Sequence, residues 1–365
     1  MNTPFNPEML ILARESRELS QSQLSSLISV NQATISRIES GSLPPAPDLV
    51  AAFAKALRYH ERFFGQTDRV YGFNSTVFFH RKRQSLADKV LRKLHAQMNI
   101  SRMRVSRLTR SGTLESPFRF QHIESNEYAG GTTAAARMVR STWMLPSGPV
   151  RNVTQAIEEA GGIVIGLDFG TRQADAVSEW VPPHPPIFLI NCNSEIPGDR
   201  SRLTLAHELA HVVMHSFPKA EMEKEANEFA GEFLMPRKEI KPSLYGLTMA
   251  KLAELKRIWK VSMAALIQRA YELKTITDSQ RRYLFINVAK RSGGRIHEPL
   301  ESEMPIEQPQ VFDGLIKTHV DQLGYSARQL ADLLFFDEEQ EFRNEYLGEQ
   351  RLRLVSNKPP SAFLA

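Results

Sequence analysis

Residues 201–215 read Ser-Arg-Leu-Thr-Leu-Ala-His-Glu-Leu-Ala-His-Val-Val-Met-His, and the rest of the chain is read outward from them. Apolar residues at 203, 205, 206, 209, 210 and 212–214 cover nearly the whole circumference of the helix this stretch predicts, so the helix is expected to be buried. Within it His207-Glu208-Leu209-Ala210-His211 is an HExxH motif, whose spacing puts both imidazoles on one face, one turn apart, within reach of one metal ion. A glutamate on a buried helix is costly unless it is paired or has a purpose. The pattern points to zinc held by His207 and His211, with Glu208 as a general base for hydrolysis. His215 continues the row. Eight residues of helix rise about 12 Å, however, while two Zn–N bonds span only ~4 Å, so His215 belongs beside the site in an orienting, substrate-contacting or packing role.

A catalytic zinc usually takes three protein ligands. The next helical stretch, residues 221–235 (EMEKEANEFAGEFLM), has a buried stripe of Ala226, Phe229, Ala230, Phe233 and Leu234. Glu223 borders that stripe and is the expected third ligand. Glu225 shares its side with Glu228 and Glu232, a face expected to be solvated, and stands as the alternative. Asn227, one turn beyond Glu223, is placed to orient an imidazole. Upstream, residues 187–190 read as a short strand and Pro197-Gly198-Asp199 as a turn.

Together with Trp143-Met-Leu-Pro-Ser-Gly-Pro-Val150 and Glu159-Ala-Gly-Gly-Ile163, and with the run ending Leu234-Met-Pro236, this region resembles the ImmA/IrrE family of metallopeptidases over about residues 130–275. The resemblance implies a zincin-like α+β domain with a small sheet beside the active-site helix. It also implies an ExxxN segment matching Glu223 and Asn227, and cleavage of a repressor-type protein, which a neighbouring gene is expected to encode.

The first seventy residues are different in kind. Ser20 and Gln23 form a capping-box pattern, Asn31 can cap a helix over residues 32–39, Gly41 stops it, and a fourth helix follows Pro47. The stretch LSQSQLSSLISVNQATISRIESG resembles the XRE helix-turn-helix family over roughly residues 8–64. That resemblance implies that Gln32, Ala33, Thr34 and Arg37 face DNA bases while Gln21 reaches phosphate. A protein-docking or dimerisation bundle is the other reading, because residues 1–80 carry seven basic and seven acidic side chains. Residues 81–110 then carry ten basic residues and one acid, Asp88, which reads either as a solvated helix face or as a surface for nucleic-acid phosphate.

Composition bounds the rest. The chain has 365 residues, net charge +5 and 42% hydrophobic residues, and no apolar run approaches the ~18 residues of a membrane span. The single cysteine, Cys192, excludes an internal disulfide, and with no signal-peptide pattern at the start a reducing cytoplasm is expected, with no membrane partner. Cys192 lies on the strand leading to HExxH, where it is either a packed thiol or an inhibitory thiolate occupying the zinc position that water needs.

The expected architecture is α+β and mostly helical. It comprises a helix-turn-helix domain (1–70), a basic connecting segment (71–125), a zincin-like domain (126–275) and a helical C-terminal region with a disordered tail (276–365). Residues 298–309 (EPLESEMPIEQP) read as a linker and residues 311–334 as helical. Two functions fit. One is an intracellular zinc endopeptidase that uses its N-terminal module to find DNA or its target, with His215, Tyr245 or Arg202 as unranked oxyanion stabilisers. The other is a DNA-binding regulator whose zincin domain senses or oligomerises.

Overall fold

The computed structural model of the protein describes residues 4–72, 87–112, 114–123, 130–192, 196–217, 219–291 and 298–347. The basic residues at 81–83 and the tail expected to be disordered lie outside them. The architecture is α+β and mostly helical, with one three-stranded sheet among the described residues. None of the described helices is long and apolar enough to cross a membrane.

The N-terminal helices are α1 (Pro7–Ser16), α2 (Gln21–Leu27), α3 (Gln32–Glu39) and α4 (Pro47–Leu57). Ser20 and Gln23 cap α2 reciprocally, and the Asn31 side chain accepts from the Ala33 amide at 2.9 Å to start α3. Arg14 donates to both carboxylate oxygens of Glu39, at 2.6 and 2.9 Å, locking α1 to α3 above a core that includes Met9, Leu10, Leu24, Ile35, Ile38 and Phe53.

Helix α5 (Asp88–Leu108) runs through the expected connecting segment and is a core element with two buried faces. Ala96, Ile100 and Met103 complete the helix-turn-helix core, while Leu91, Leu94, Met98, Val105 and Leu108 belong to a second cluster under the sheet. Five of its six cations are paired with acidic side chains, while Lys89 is exposed. Arg92 pairs with Glu15 at 3.3 Å, Lys93 with Glu18 at 3.1 Å, Arg104 with Glu345 at 3.5 Å, Arg107 with Asp68 at 2.7 Å, and Arg102 with Glu179. The continuous phosphate surface expected along this run is therefore corrected over residues 93–108, where the cations are paired and largely buried. A helix covered on two faces cannot also present a row of free cations to solvent.

Helices α6 (Gly131–Thr142) and α7 (Val153–Glu159) lead into strands β1 (Ile163–Leu167), β2 (Ala176–Glu179) and β3 (Ile187–Asn191), ordered β1-β3-β2. β1 runs parallel to β3, pairing Ile163 with Ile187, and β2 runs antiparallel to it, pairing Ser178 with Phe188. Alternation along the strands divides the sheet: Val164, Ala176, Phe188 and Ile190 face the cluster around α8 (Gly198–Met214), whereas Ile163, Val177, Ile187 and Leu189 face α5. Helix α9 (Met222–Leu234) packs between α8 and α6.

Beyond α10 (Arg237–Ile240), α11 (Met249–Trp259), α12 (Met263–Glu272) and α13 (Asp278–Arg291), residues 298–310 form a fastened strap where a linker was expected. Glu298 accepts from the first two amides of α12 at 2.7 and 2.9 Å, and Glu307 from the first two of α7 at 2.8 and 2.9 Å, so carboxylates that look solvated in sequence cap buried helix ends. The strap passes so close to the start of α8 that a Cβ on Gly198 would meet the Met304 carbonyl oxygen. The stretch expected to be helical over 311–334 is two helices, α14 (Val311–Asp321) and α15 (Ala327–Leu333), separated by a turn in which Gly324 adopts φ +69°. These and α16 (Glu339–Phe342) close the second cluster against α5 and the sheet.

Candidate metal centre

Helix α8 is buried because its apolar residues contact the sheet on one side and α9 on the other, leaving the polar row of His207, Glu208 and His211 at the seam between them. The row converges with Glu223, one residue into α9. The His207 and His211 Nε2 atoms are 3.0 Å apart, and the Glu223 carboxylate oxygens lie 3.8 and 3.6 Å from them. All three ligand atoms fall within 4.8 Å of one another. Tetrahedral zinc with bonds of ~2.0–2.1 Å needs donors about 3.3 Å apart, so this set fits the ion without rearrangement of the helices.

The far sides of both rings fix which nitrogen is available. His207 Nδ1 lies 3.0 Å from Asn227 Oδ1, an acceptor, so Nδ1 carries the proton and Nε2 presents its lone pair. His215 Nε2 lies 2.9 Å from Glu225 Oε2 and therefore donates to it, which leaves His215 Nδ1 to accept from His211 Nδ1 at 2.9 Å. The result is a second Nε2 lone pair facing Glu223. Helix α8 ends at Met214, so His215 leaves the helical row that sequence spacing assigned to it, yet it still stands behind His211 rather than on the metal position. Glu225, expected on a solvated face, instead anchors His215 and is one-fifth exposed.

Glu208 is 1% exposed. Ser178 Oγ lies 2.9 Å from its Oε2 and 3.2 Å from its backbone oxygen, so a β2 hydroxyl faces the carboxylate. Sequence reading missed Ser178; the available signal was a lone hydroxyl in the short run Ala-Val-Ser-Glu, at the alternate position from Ala176. Cys192 is placed away from the centre. Its amide donates to Leu167 on the β1 side of the sheet, its side chain is exposed, and its sulfur is not among the converging ligand atoms. Partial desolvation, with Asp168 beside it, pushes this thiol up. The inhibitory thiolate is therefore corrected: just past the end of β3 the chain at Cys192 bonds to β1, on the other side of β3 from β2, the strand that meets Glu208, and the converging ligand atoms are those of His207, His211 and Glu223.

Of the three oxyanion candidates, His215 has both ring nitrogens engaged. Arg202 is buried, donating to the Val150 and Lys260 carbonyls and pairing with Glu307. Tyr245 is half exposed in a cleft of about 560 Å³ lined by Arg137, Arg237, Lys238 and Lys241, beyond the opposite end of α9 from Glu223.

In the N-terminal module Gln32, Ala33 and Arg37 are exposed along α3 and Thr34 is half exposed, so the face expected to read bases is open to solvent. The Gln21 amide donates to Glu39 at 2.7 Å and its oxygen accepts from Gln32 at 2.7 Å, tying the first residues of α2 and α3 together.

Residues 158–271 match the IrrE N-terminal-like domain, a peptidase family, and residues 10–64 match the helix-turn-helix family. The chain thus joins a DNA-binding type of module to a metallopeptidase-like domain. No curated protein matches it.

Proposed function

We propose that the protein is a zinc-dependent endopeptidase that cleaves a repressor-type regulatory protein and so relieves transcriptional repression, with the helix-turn-helix module holding it on DNA or on its target. The observation that supports this reading best is the pair of Nε2 lone pairs, set by Asn227 and by the His215–Glu225 relay, facing Glu223. His207, His211 and Glu223 would hold zinc, and three protein ligands is the number typical of catalytic rather than structural sites. Zinc held there would polarise the scissile carbonyl and make the attacking water more acidic. Glu208 takes the proton from that water and passes it to the leaving amine, and its burial keeps this transfer away from bulk solvent.

A regulator that only sensed metal would need the ligands but no base, so a glutamate held by a buried serine favours the enzyme. The test is incubation of the zinc-loaded protein with the helix-turn-helix repressor expected to be encoded by a neighbouring gene. Wild type yields discrete fragments and Glu208→Gln, with equal zinc, yields none. Equal cleavage by both, or an intact repressor with wild type, contradicts the proposal.

A further inference from the structure

We infer that Ser178 is a positioning residue that aims the Glu208 carboxylate; the inference rests on the reading of Glu208 as the general base. A hydroxyl has one hydrogen to give. Of the two acceptors in reach the carboxylate is both nearer, at 2.9 against 3.2 Å, and charged, so the hydrogen goes to Oε2. Glutamate has three side-chain torsions, and a general base is effective only within hydrogen-bond reach of the proton it takes, so a donor that fixes one oxygen removes a search the side chain would otherwise make.

Ser178 is itself held. Its strand pairs with β3 at Phe188, and the next residue, Glu179, points to the opposite face of the sheet, where it pairs with Arg102 of α5. Two adjacent residues of β2 thus clamp the strand between the base on α8 and the long helix on the other side. Ser178 is 4% exposed, so its hydroxyl is shielded from water and bonds within the protein. A buried hydroxyl facing a buried carboxylate is a specific requirement rather than a packing choice.

Acetohydroxamate on zinc-loaded protein tests this without the natural substrate, because a hydroxamate on the zinc presents its hydroxyl to the general base. Calorimetry should show that Ser178→Ala binds one zinc as wild type does but binds acetohydroxamate about tenfold more weakly. Ser178→Thr, which keeps a hydroxyl, should restore the affinity, and Ser178→Ala should have no further effect in a Glu208→Gln background. Unchanged hydroxamate affinity in zinc-replete Ser178→Ala overturns the inference. A wild type that binds no zinc overturns the parent reading instead. In that event a denaturation double-mutant cycle on zinc-free protein decides: coupling between positions 178 and 208 sustains the contact, and additive effects refute it.

Discussion

Arg102 of α5 and Glu179 of β2 form an ion pair in which both side chains are buried, at 6% and 3% exposure, and this pair joins the helix carrying the DNA-binding type of module to the strand that meets Glu208. Removing one partner leaves the other charge in a medium that cannot solvate it. Arg102→Ala should therefore cost about 3–5 kcal/mol of stability, read by chemical denaturation. Arg102→Met with Glu179→Leu should recover most of that loss, and a single variant within 0.5 kcal/mol of wild type would show that the pair is not desolvated as described.

The relay behind His211 predicts a graded effect on metal. Glu225→Ala and His215→Phe should each weaken zinc binding about 10–100-fold while still reaching one zinc per chain at saturation, because they release the ring without deleting a ligand. Competition with a chromophoric chelator measures this, and affinities equal to wild type would remove the relay from the account.

Acidification should loosen the seam between α5 and the segment before it. His95 donates to the Tyr71 carbonyl within a buried setting, and desolvation, aided by the charge of Arg102, pulls its pKa below the ordinary 6.5. A lowered pKa means that the unfolded chain binds the proton more readily, so stability present above pH 6.5 is lost as pH falls from 6.5 through the folded value. Denaturation midpoints across that window should fall, with a shallower decline in His95→Gln; parallel profiles would assign the loss elsewhere.

DNA binding should show a modest salt dependence for so basic a stretch, since Lys93, Arg102, Arg104 and Arg107 of α5 are paired and largely buried and do not release counterions. Lys89→Ala should lower the slope of log affinity against log salt by up to about one, Arg104→Ala should leave it unchanged, and Arg37→Ala should alter sequence preference. A slope near ten would mean that the α5 pairs open on DNA.

Helix-borne features were legible where periodicity and local chemistry agree: the buried HExxH helix, the α2 capping box and the facing of Glu223 all follow from spacing within one element. What escaped depends on partners far apart in the chain. Arg102 and Glu179 are 77 positions apart and Ser178 and Glu208 are 30, and no local pattern announces either pairing. The acidic strap was misread for the same reason, because a glutamate that caps a distant helix looks in sequence like one facing water. The spacing that puts His215 in the helical row holds only for unbroken helix; the helix ends one residue earlier, and the ring takes its place through Glu225 instead.

Metal analysis of purified single variants separates the three assigned zinc ligands from the carboxylates around them. Wild type and Glu208→Gln should each carry one zinc per chain, and His207→Ala, His211→Ala and Glu223→Ala should carry none at limiting zinc. Stoichiometric zinc in Glu223→Ala together with its loss in Glu225→Ala would place Glu225, not Glu223, on the metal.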